Sequence, residues 1–388
     1  MKQNPTYLLR EIENVPYLLP YGQMIADRKR GMKINSTGIY LWKLLEQNLN
    51  MNELLTLSAA YYEIPDKELP SFQSDIKQFI QQLISYGIIL DTDDTFSPSA
   101  QEDQYLSIAG LTLSLSGPTA AFPPQFNAFC IDAPPKVHLH INIQIGMPAF
   151  SQNGKVILRS KELVVLEQEE QYILLFPQSP TLAEIRLKKD ASYALCYCIP
   201  PYDKRFHNEL FHALRLVYLY LAGRHQMVAL HSSSILYQDK AWLFSAPSGT
   251  GKSTHANLWR DLYNTPILNG DLNLLAIQNG LPVIHGIPWC GTSMLFDTQT
   301  HPLGGIILLK QAPADTIEEL SHDQRILFVH QRLISPVWTP KQFDTNLSVI
   351  QEIADSVLIC RLHCTKESSA CKVMKAYIDN TASNRVGG

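Results

Sequence analysis

Nine residues, Ala246-Pro-Ser-Gly-Thr-Gly-Lys-Ser-Thr254, constrain this chain more than any other stretch. They match A/G-x-x-x-x-G-K-S/T, the pattern of a phosphate-cradling loop, with Ala246 where the strict pattern has glycine. The apolar run Ala241–Ser245 before them reads as a buried strand, and Ser253 to Leu262 reads as a helix. Gly249 and Gly251 let such a loop turn tightly and bring its N–H groups to an anion. The helix start adds unpaired donors and a positive dipole end. Lys252 would supply a point charge for terminal phosphates, and Ser253 a hydroxyl for the magnesium ion that accompanies them. Ala246, Pro247, Ser248, Gly249, Thr250, Gly251, Lys252, Ser253 and Thr254 are therefore the nucleotide-binding candidates.

The 388 residues suit two or three domains. Apolar residues at 45% and charged residues at 18% allow substantial cores. A net charge of −4 creates no general field for nucleic acid. No apolar run is long enough to cross a bilayer, and Met1–Pro5 does not open a signal peptide. Seven cysteines without a disulfide rhythm complete the expectation of a reduced, cytoplasmic protein. Homo-oligomerisation stays open.

Residues 1–95 form one compositional unit. Tyr7–Ile12, Pro16–Leu19 and Gly31–Ile34 read as strands. Ser36 is expected to cap a first helix, Asn52 to open a second and Ser71 to cap a third, in which Phe72, Ile76, Phe79, Ile80 and Leu83 recur at helical spacing before Gly87. Strands, three helices and a closing Ile88-Ile-Leu90 strand predict a small winged-helix unit. DNA binding is disfavoured, because the third helix offers only Lys77 against Asp75, and the basic cluster Arg28-Lys-Arg30 falls in a turn.

Lys33-Ile-Asn-Ser-Thr-Gly-Ile-Tyr-Leu-Trp42, two further helices and the Gly-Ile-Ile-Leu wing resemble the PqqD family of peptide-binding domains. The resemblance implies that the leader of a ribosomally made precursor peptide adds as an extra strand beside the third strand. Its groove would involve Met32, Lys33, Ile34, Ile76 and Phe79.

A polar linker follows at about 96–104, and 105–200 is strand-rich. His138 and His140 share one face of an alternating run, which reads as a solvated sheet face, and Cys196-Tyr-Cys198 reads as core. From 201 on, a helix over Phe206–Ala222 precedes a hairpin that carries His231 and enters the loop. Pro266–Asp271 reads as a strand with Asp271 at its carboxyl end, where ligands of parallel sheets gather. Asp271 there would bind magnesium or take a proton from an attacking hydroxyl.

His231, the loop and Asp271 resemble HPr kinase/phosphorylase and its relatives in peptide-modification clusters. That family's histidine precedes the loop by 15 residues, the spacing of His231 to Ala246, and its loop G-x-S-G-x-G-K-S compares with Ala-Pro-Ser-Gly-Thr-Gly-Lys-Ser here. The resemblance implies a fold like ATP-dependent phosphoenolpyruvate carboxykinase, with Asp271, Lys252 and His231 as catalytic residues and Ser253 and Asp271 as metal ligands. The family pairs two aspartates, whereas this chain has Gly270-Asp271. Gly286-Ile-Pro-Trp-Cys-Gly291 resembles the family's G-x-P-W-x-G segment, so Gly286, Pro288, Trp289, Cys290 and Gly291 are substrate-loop candidates, with Trp289 free to stack on a base or peptide. The cysteines of Val357–Cys364 and Cys371 fit a strand and a helix better than a zinc site, and Arg332 and Arg361 are candidates to reach phosphate.

The expectation is an α/β multi-domain chain: a PqqD-like domain at 1–95, a β-rich segment at 105–200 and a phosphate-loop core at 201–388. It would use ATP and Mg2+ to phosphorylate Ser or Thr of a leader-bound precursor peptide. The alternatives are a catalytically weak nucleotide-binding scaffold that delivers peptide, and a regulatory kinase acting on a folded carrier protein.

Overall fold

Alternation along three central strands builds the sheet that carries the glycine loop. In the computed structural model, which describes residues 1–21, 31–47, 49–90, 102–148 and 154–386, contacts divide the chain into two units. One comprises Met1–Asp103, Leu115–Phe122 and Ile141–Leu210, the other Gln104–Ser114, Pro123–His140 and Phe211–Gly388. This differs from three consecutive segments at 1–95, 105–200 and 201–388. The middle stretch is divided between the units, and strand partners are a tertiary property that composition does not carry. The Arg28–Arg30 cluster, the Asp91–Asp94 turn and residues 96–101 of the linker lie outside the described residues.

In the first unit β1 (Lys2–Gln3) pairs antiparallel with β5 (Ile89–Leu90). Strands β2 (Tyr7–Ile12), β3 (Val15–Pro20) and β4 (Met32–Lys33) form an antiparallel sheet in that order. Glu13 and Asn14, both at positive φ (50° and 62°), make the tight β2–β3 turn. Helices α1 (Ser36–Leu44), α2 (Met51–Tyr61) and α3 (Leu69–Ser85) bury Leu41, Leu45, Leu54, Ile80 and Leu83 with Leu18.

Each helix begins earlier than its expected cap. Asn35 Oδ1 accepts from Gly38 N at 2.8 Å, so Asn35 caps α1 and Ser36 lies inside it. Asn50 and Glu53 form a reciprocal capping box that opens α2 ahead of Asn52. Pro70 sits in the first turn of α3, where its fixed φ suits a helix start, and Ser71 lies inside.

Strands β6 (Glu102–Ile108), β7 (Leu111–Gly117) and β9 (Leu139–Ile145) contribute residues to both units, while β8 (Cys130–Ile131) belongs to the second. In the first unit β10 (Lys155–Arg159), β11 (Val164–Glu167), β12 (Gln171–Leu175), β13 (Leu182–Lys188) and β14 (Tyr193–Cys198) form an antiparallel meander. Cys196 and Cys198 are fully buried there. His138 and His140 bond the hydroxyls of Thr112 and Ser114 at 2.8 and 2.9 Å. Helix α4 (Lys204–Arg224) follows.

The second unit holds β15 (Val228–Tyr237), β16 (Lys240–Ser245), β17 (Ile267–Asn269), β18 (Leu272–Gln278), β19 (Leu281–His285), β20 (Thr300–Gln311), β21 (Thr316–Glu319) and β22 (Leu358–Cys364). Gln238 and Asp239, at φ 52° and 55°, close the β15–β16 hairpin. β16, β20 and β22 run parallel, with Phe244 beside Ile307 and Ile307 beside Cys360. Their side chains alternate between two cores, as in a sheet covered on both faces. Phe244, Ile307, Leu309, Cys360 and Leu362 pack with Trp259 of α5 (Lys252–Tyr263) and Met374 of α8 (Ser368–Val386). Leu243, Ile306, Leu308 and Ile359 pack with Val329 of α6 (His322–His330) and Ile350 and Ile353 of α7 (Pro340–Ser356).

β15 has the β17–β18 segment along one edge, with Ser234 and Ile235 paired to β17, and β16 along the other. Val228–His231 pair with β18, and Ser232–Tyr237 pair with β16. The pairing with β16 begins at Ser232, next to His231, and opposite them Gly270 and Asp271 bulge out between β17 and β18.

Candidate functional site

β16 delivers the chain into the glycine loop and α5 receives it. Gly249 and Gly251 take φ of 78° and 113°, a region that disfavours residues bearing a Cβ, and Gly251 is the residue before the helix. Pro247, Ser248, Gly249, Ser253 and Thr254 are exposed, so no side chain plugs the loop. Ala246 is buried against the sheet. The first-turn N–H groups of α5 are those that a helix leaves without internal partners. Lys252 is buried to 7% exposure, and its Nζ lies 3.4 Å from the Ala246 carbonyl.

The bulge between β17 and β18 sets the other wall. His231 pairs in register with Leu272, which places Asp271 one residue back in the bulge. His231 Nε2 lies 3.2 Å from Asp271 Oδ1. Ser232 N donates to the Asp271 carbonyl, and Ser245 Oγ ties the end of β16 to the His231 carbonyl at 2.8 Å. The hydrogen bond from His231 holds the Asp271 carboxyl below its ordinary range, against the opposing effect of burial, with help from the charges of Lys252 and Arg215. Burial lowers Lys252; nearby Arg332 lowers it further and Asp271 opposes both.

The strand carrying Asp271 is not the parallel strand expected. β17 ends at Asn269 and runs antiparallel to β15, so Asp271 sits in the turn between β17 and β18. Buried Asn269 makes that turn: its Oδ1 accepts from Asp271 N and Leu272 N at 2.9 and 3.1 Å. Its Nδ2 donates to the carbonyls of Ile287 and Trp289, which fastens the Gly286–Gly291 loop to the turn. Sequence reasoning missed Asn269, since an asparagine before Gly-Asp reads as an ordinary turn residue.

Trp289 is not open to stack on a ligand. It is 2% exposed, its Nε1 donates to the Phe211 carbonyl at 2.9 Å, and its ring packs against Phe126, Phe211 and Tyr218. Cys290 is buried too, and burial pushes its thiol up, away from the reactive thiolate. Gly291, at φ 64°, lies on Asp271: a Cβ there would come within 2.8 Å of the Asp271 Cβ. Gly286 packs still closer on the backbone at Asp297.

Gly270 stands where the resemblance has an aspartate, and Ser293 fills that space. A Cβ at 270 would collide with Ser293 Oγ and lie 2.7 Å from its Cβ. Ser293 Oγ donates to the Cys290 carbonyl at 2.8 Å and accepts from Leu295 N at 3.2 Å.

Beside the loop lies a cavity of about 410 Å³ lined by Pro247, Thr250, Lys310, Gln311, Arg332 and Arg361 among others. Gln311 Nε2 donates to the Thr250 carbonyl at 3.2 Å, joining the end of β20 to the loop. Arg361 is held by both oxygens of Glu318 and lies over the Phe328 ring.

Among the described residues, no group of three or more His, Cys, Asp or Glu could hold a metal ion by itself. A hydroxyl at Ser253 and a carboxylate at Asp271 fit an ion that takes its remaining ligands from phosphate oxygens and water. In the first unit, β4 is the terminal strand of β2–β3–β4. Met32 is half-buried and Lys33 exposed, but Ile34 and Ile76 are buried at 4% with Phe79 packed against them, so these three belong to the core rather than to an open groove.

Fold and site together define a mixed α/β protein with an open glycine loop facing a His–Asp pair. Residues 23–89 match the family model described as Coenzyme PQQ synthesis protein D (PqqD), a family of recognition elements for ribosomally made peptides. The match covers well under half of the chain. A solved structure, the Hpr(Ser) kinase/phosphatase from Coxiella burnetii, aligns at 9% identity with a TM-score of 0.23, covering 41% of this chain and 99% of that one. A likeness of that size supports no argument about fold or activity. No curated protein matches the chain. No helix among the described residues is long and apolar enough to cross a membrane.

Two outcomes follow from this geometry. Gly270→Ala is expected to cost about 1–3 kcal/mol by overpacking. Adding Ser293→Gly should recover most of it in a double-mutant cycle of urea unfolding; additive losses would show that the two residues do not compete for space. Because the Asp271 carboxyl is depressed in the folded state, its pairing stabilises the fold above the unfolded carboxylate value and is lost as pH falls through the folded one. His231→Phe is expected to move the Asp271 titration upward in carbon-13 carboxyl NMR; an unmoved titration would remove His231 as its partner.

Proposed function

We propose that this chain is an ATP- and Mg2+-dependent kinase that phosphorylates a Ser or Thr hydroxyl of a precursor peptide, held through its leader by the PqqD-matching domain. One observation carries the reading: the His231–Asp271 pair, 3.2 Å apart, lies within electrostatic reach of Lys252, whose glycine loop is open. The loop amides and Lys252 would bind the phosphates, and Ser253 with Asp271 would hold the magnesium ion. When bound, that ion supplies charge neutralisation at the terminal phosphates. Asp271 would orient the acceptor hydroxyl and take its proton, and His231 keeps the carboxylate aimed.

The leader would add at the outer edge of β4, which has no strand partner among the described residues. Ile34 N donates inward to the Pro16 carbonyl. Alternation along the strand therefore turns the Lys33 N–H outward, where an added strand accepts it. A second reading, a nucleotide-binding scaffold with weak turnover, draws on Ser293 in the space beside Asp271, which leaves that turn one carboxylate.

With Mg-ATP and a precursor peptide that binds the first domain, the peptide should gain one phosphate by mass spectrometry. Asp271→Asn should lower kcat by about 100-fold or more while nucleotide still binds. Nucleotide binding without any mass gain selects the scaffold instead. Lys33→Pro removes one outward donor at an edge position that tolerates proline. It is expected to weaken leader binding about tenfold in fluorescence anisotropy; unchanged affinity would place the leader elsewhere.

A further inference from the structure

The cavity beside the loop is strongly cationic. Lys310, Arg332 and Arg361 all line it, next to Pro247 and Thr250 of the loop. The one carboxylate bonded to this group among the described residues is Glu318, which holds Arg361 and also bonds His363 at 2.7 Å. Neither Lys310 nor Arg332 has an acidic partner among the described residues. Three cations against one shared carboxylate leave the wall positive, and Arg332 lies near enough to Lys252 to disfavour its protonation. A protein that gathers unpaired cations in one recess creates a site for an anion.

We infer that this recess is the acceptor subsite and takes acidic side chains flanking the phosphorylated hydroxyl. The inference rests on the kinase reading and names its substrate class: a Ser or Thr in an Asp- or Glu-rich segment. Gln311 fastens the recess to Thr250, so an acceptor anchored there lies against the loop. Lys310 at the end of β20 is exposed, which makes it the recognition residue that can be reversed without disturbing the core. Arg361, bonded to Glu318 and stacked on Phe328, shapes the recess from a fixed position.

The test uses fluorescein-labelled peptides with one serine flanked by aspartates, by asparagines or by lysines. Binding to the full chain is read by anisotropy in the presence of Mg2+ and a non-hydrolysable ATP analogue. The aspartate peptide should bind about tenfold tighter than the asparagine one, and Lys310→Glu should abolish that preference and favour the lysine peptide. The affinity for the analogue, measured by calorimetry, should stay within about twofold in this variant. Equal binding of the three peptides, or an aspartate preference that survives Lys310→Glu, overturns the proposal. So does a weakened analogue in Lys310→Glu with peptide binding unmoved, since the recess would then serve the nucleotide's own phosphates. Binding is read without turnover, so a chain that selects the acidic peptide but transfers no phosphate sinks the kinase reading and leaves the subsite standing.

Discussion

The bulge between β17 and β18 along β15 is the constraint on which the site depends. β15 pairs with β18 up to His231 and with β17 from Ser234, so Gly270 and Asp271 between those strands leave the ladder. β16 begins on the other edge of β15 at Ser232, which sets its end, and so the loop, beside the turn that carries Asp271. Ser245 Oγ on the His231 carbonyl and Ser232 N on the Asp271 carbonyl tie both neighbours to β15 at this point. The run Ser232-Ser-Ser234, fully buried, is explained by the same demand. Where strands part, backbone groups lose ladder partners, and a hydroxyl can replace them: Ser233 Oγ donates to the Gly270 carbonyl, and Ser234 Oγ accepts from Asn269 N.

What could be read from the sequence was whatever depends on local pattern. The loop, its flanking strand and helix, the β15–β16 hairpin and the apolar face of α3 follow from glycine placement, turn chemistry and periodicity. The proximity of His231 and Asp271 was anticipated only as a resemblance; its cause, the registered pairing with Leu272, is a contact between residues 41 apart in the chain. Parallel placement of the Asp271 strand was misjudged because an apolar run carries no direction. Trp289 was misjudged because a tryptophan between proline and glycines looks exposed, and only the rings of Phe126, Phe211 and Tyr218 show that it is an anchor. The helix caps slipped because Ser36 and Ser71 are residue types that often cap, whereas Asn35 caps α1 and Pro70 takes a first-turn position that starts α3 ahead of Ser71.

The absence of a second acid beside Asp271 is likewise a packing fact rather than a deletion. Gly270 has no side chain because Ser293 needs its volume, and Ser293 is needed because its hydroxyl holds Cys290 and Leu295 in the bend over the turn. Gly291 then rests on Asp271 with no room for a side chain. A side chain at position 270 would have to displace Ser293. The pairing with His231 and the charges of Lys252 and Arg215 keep the single carboxylate ionised against the opposing effect of burial.

Both recognition devices proposed for this chain use backbone donors that secondary structure leaves over: an outward N–H on the edge strand β4, and the first-turn N–H groups of α5. Such donors bind strongly but read little, since every peptide offers carbonyls and every nucleotide offers phosphates. Selectivity must then come from side chains at the margins of each site. On the edge strand the half-buried Met32 and exposed Lys33 are placed to do this. At the loop the Trp289 ring is buried and Cys290 is a buried thiol, so the accessible chemistry is carried by the cations of the neighbouring recess. A charge-lined recess discriminates by repulsion as well as attraction, excluding basic segments that the backbone donors alone would accept.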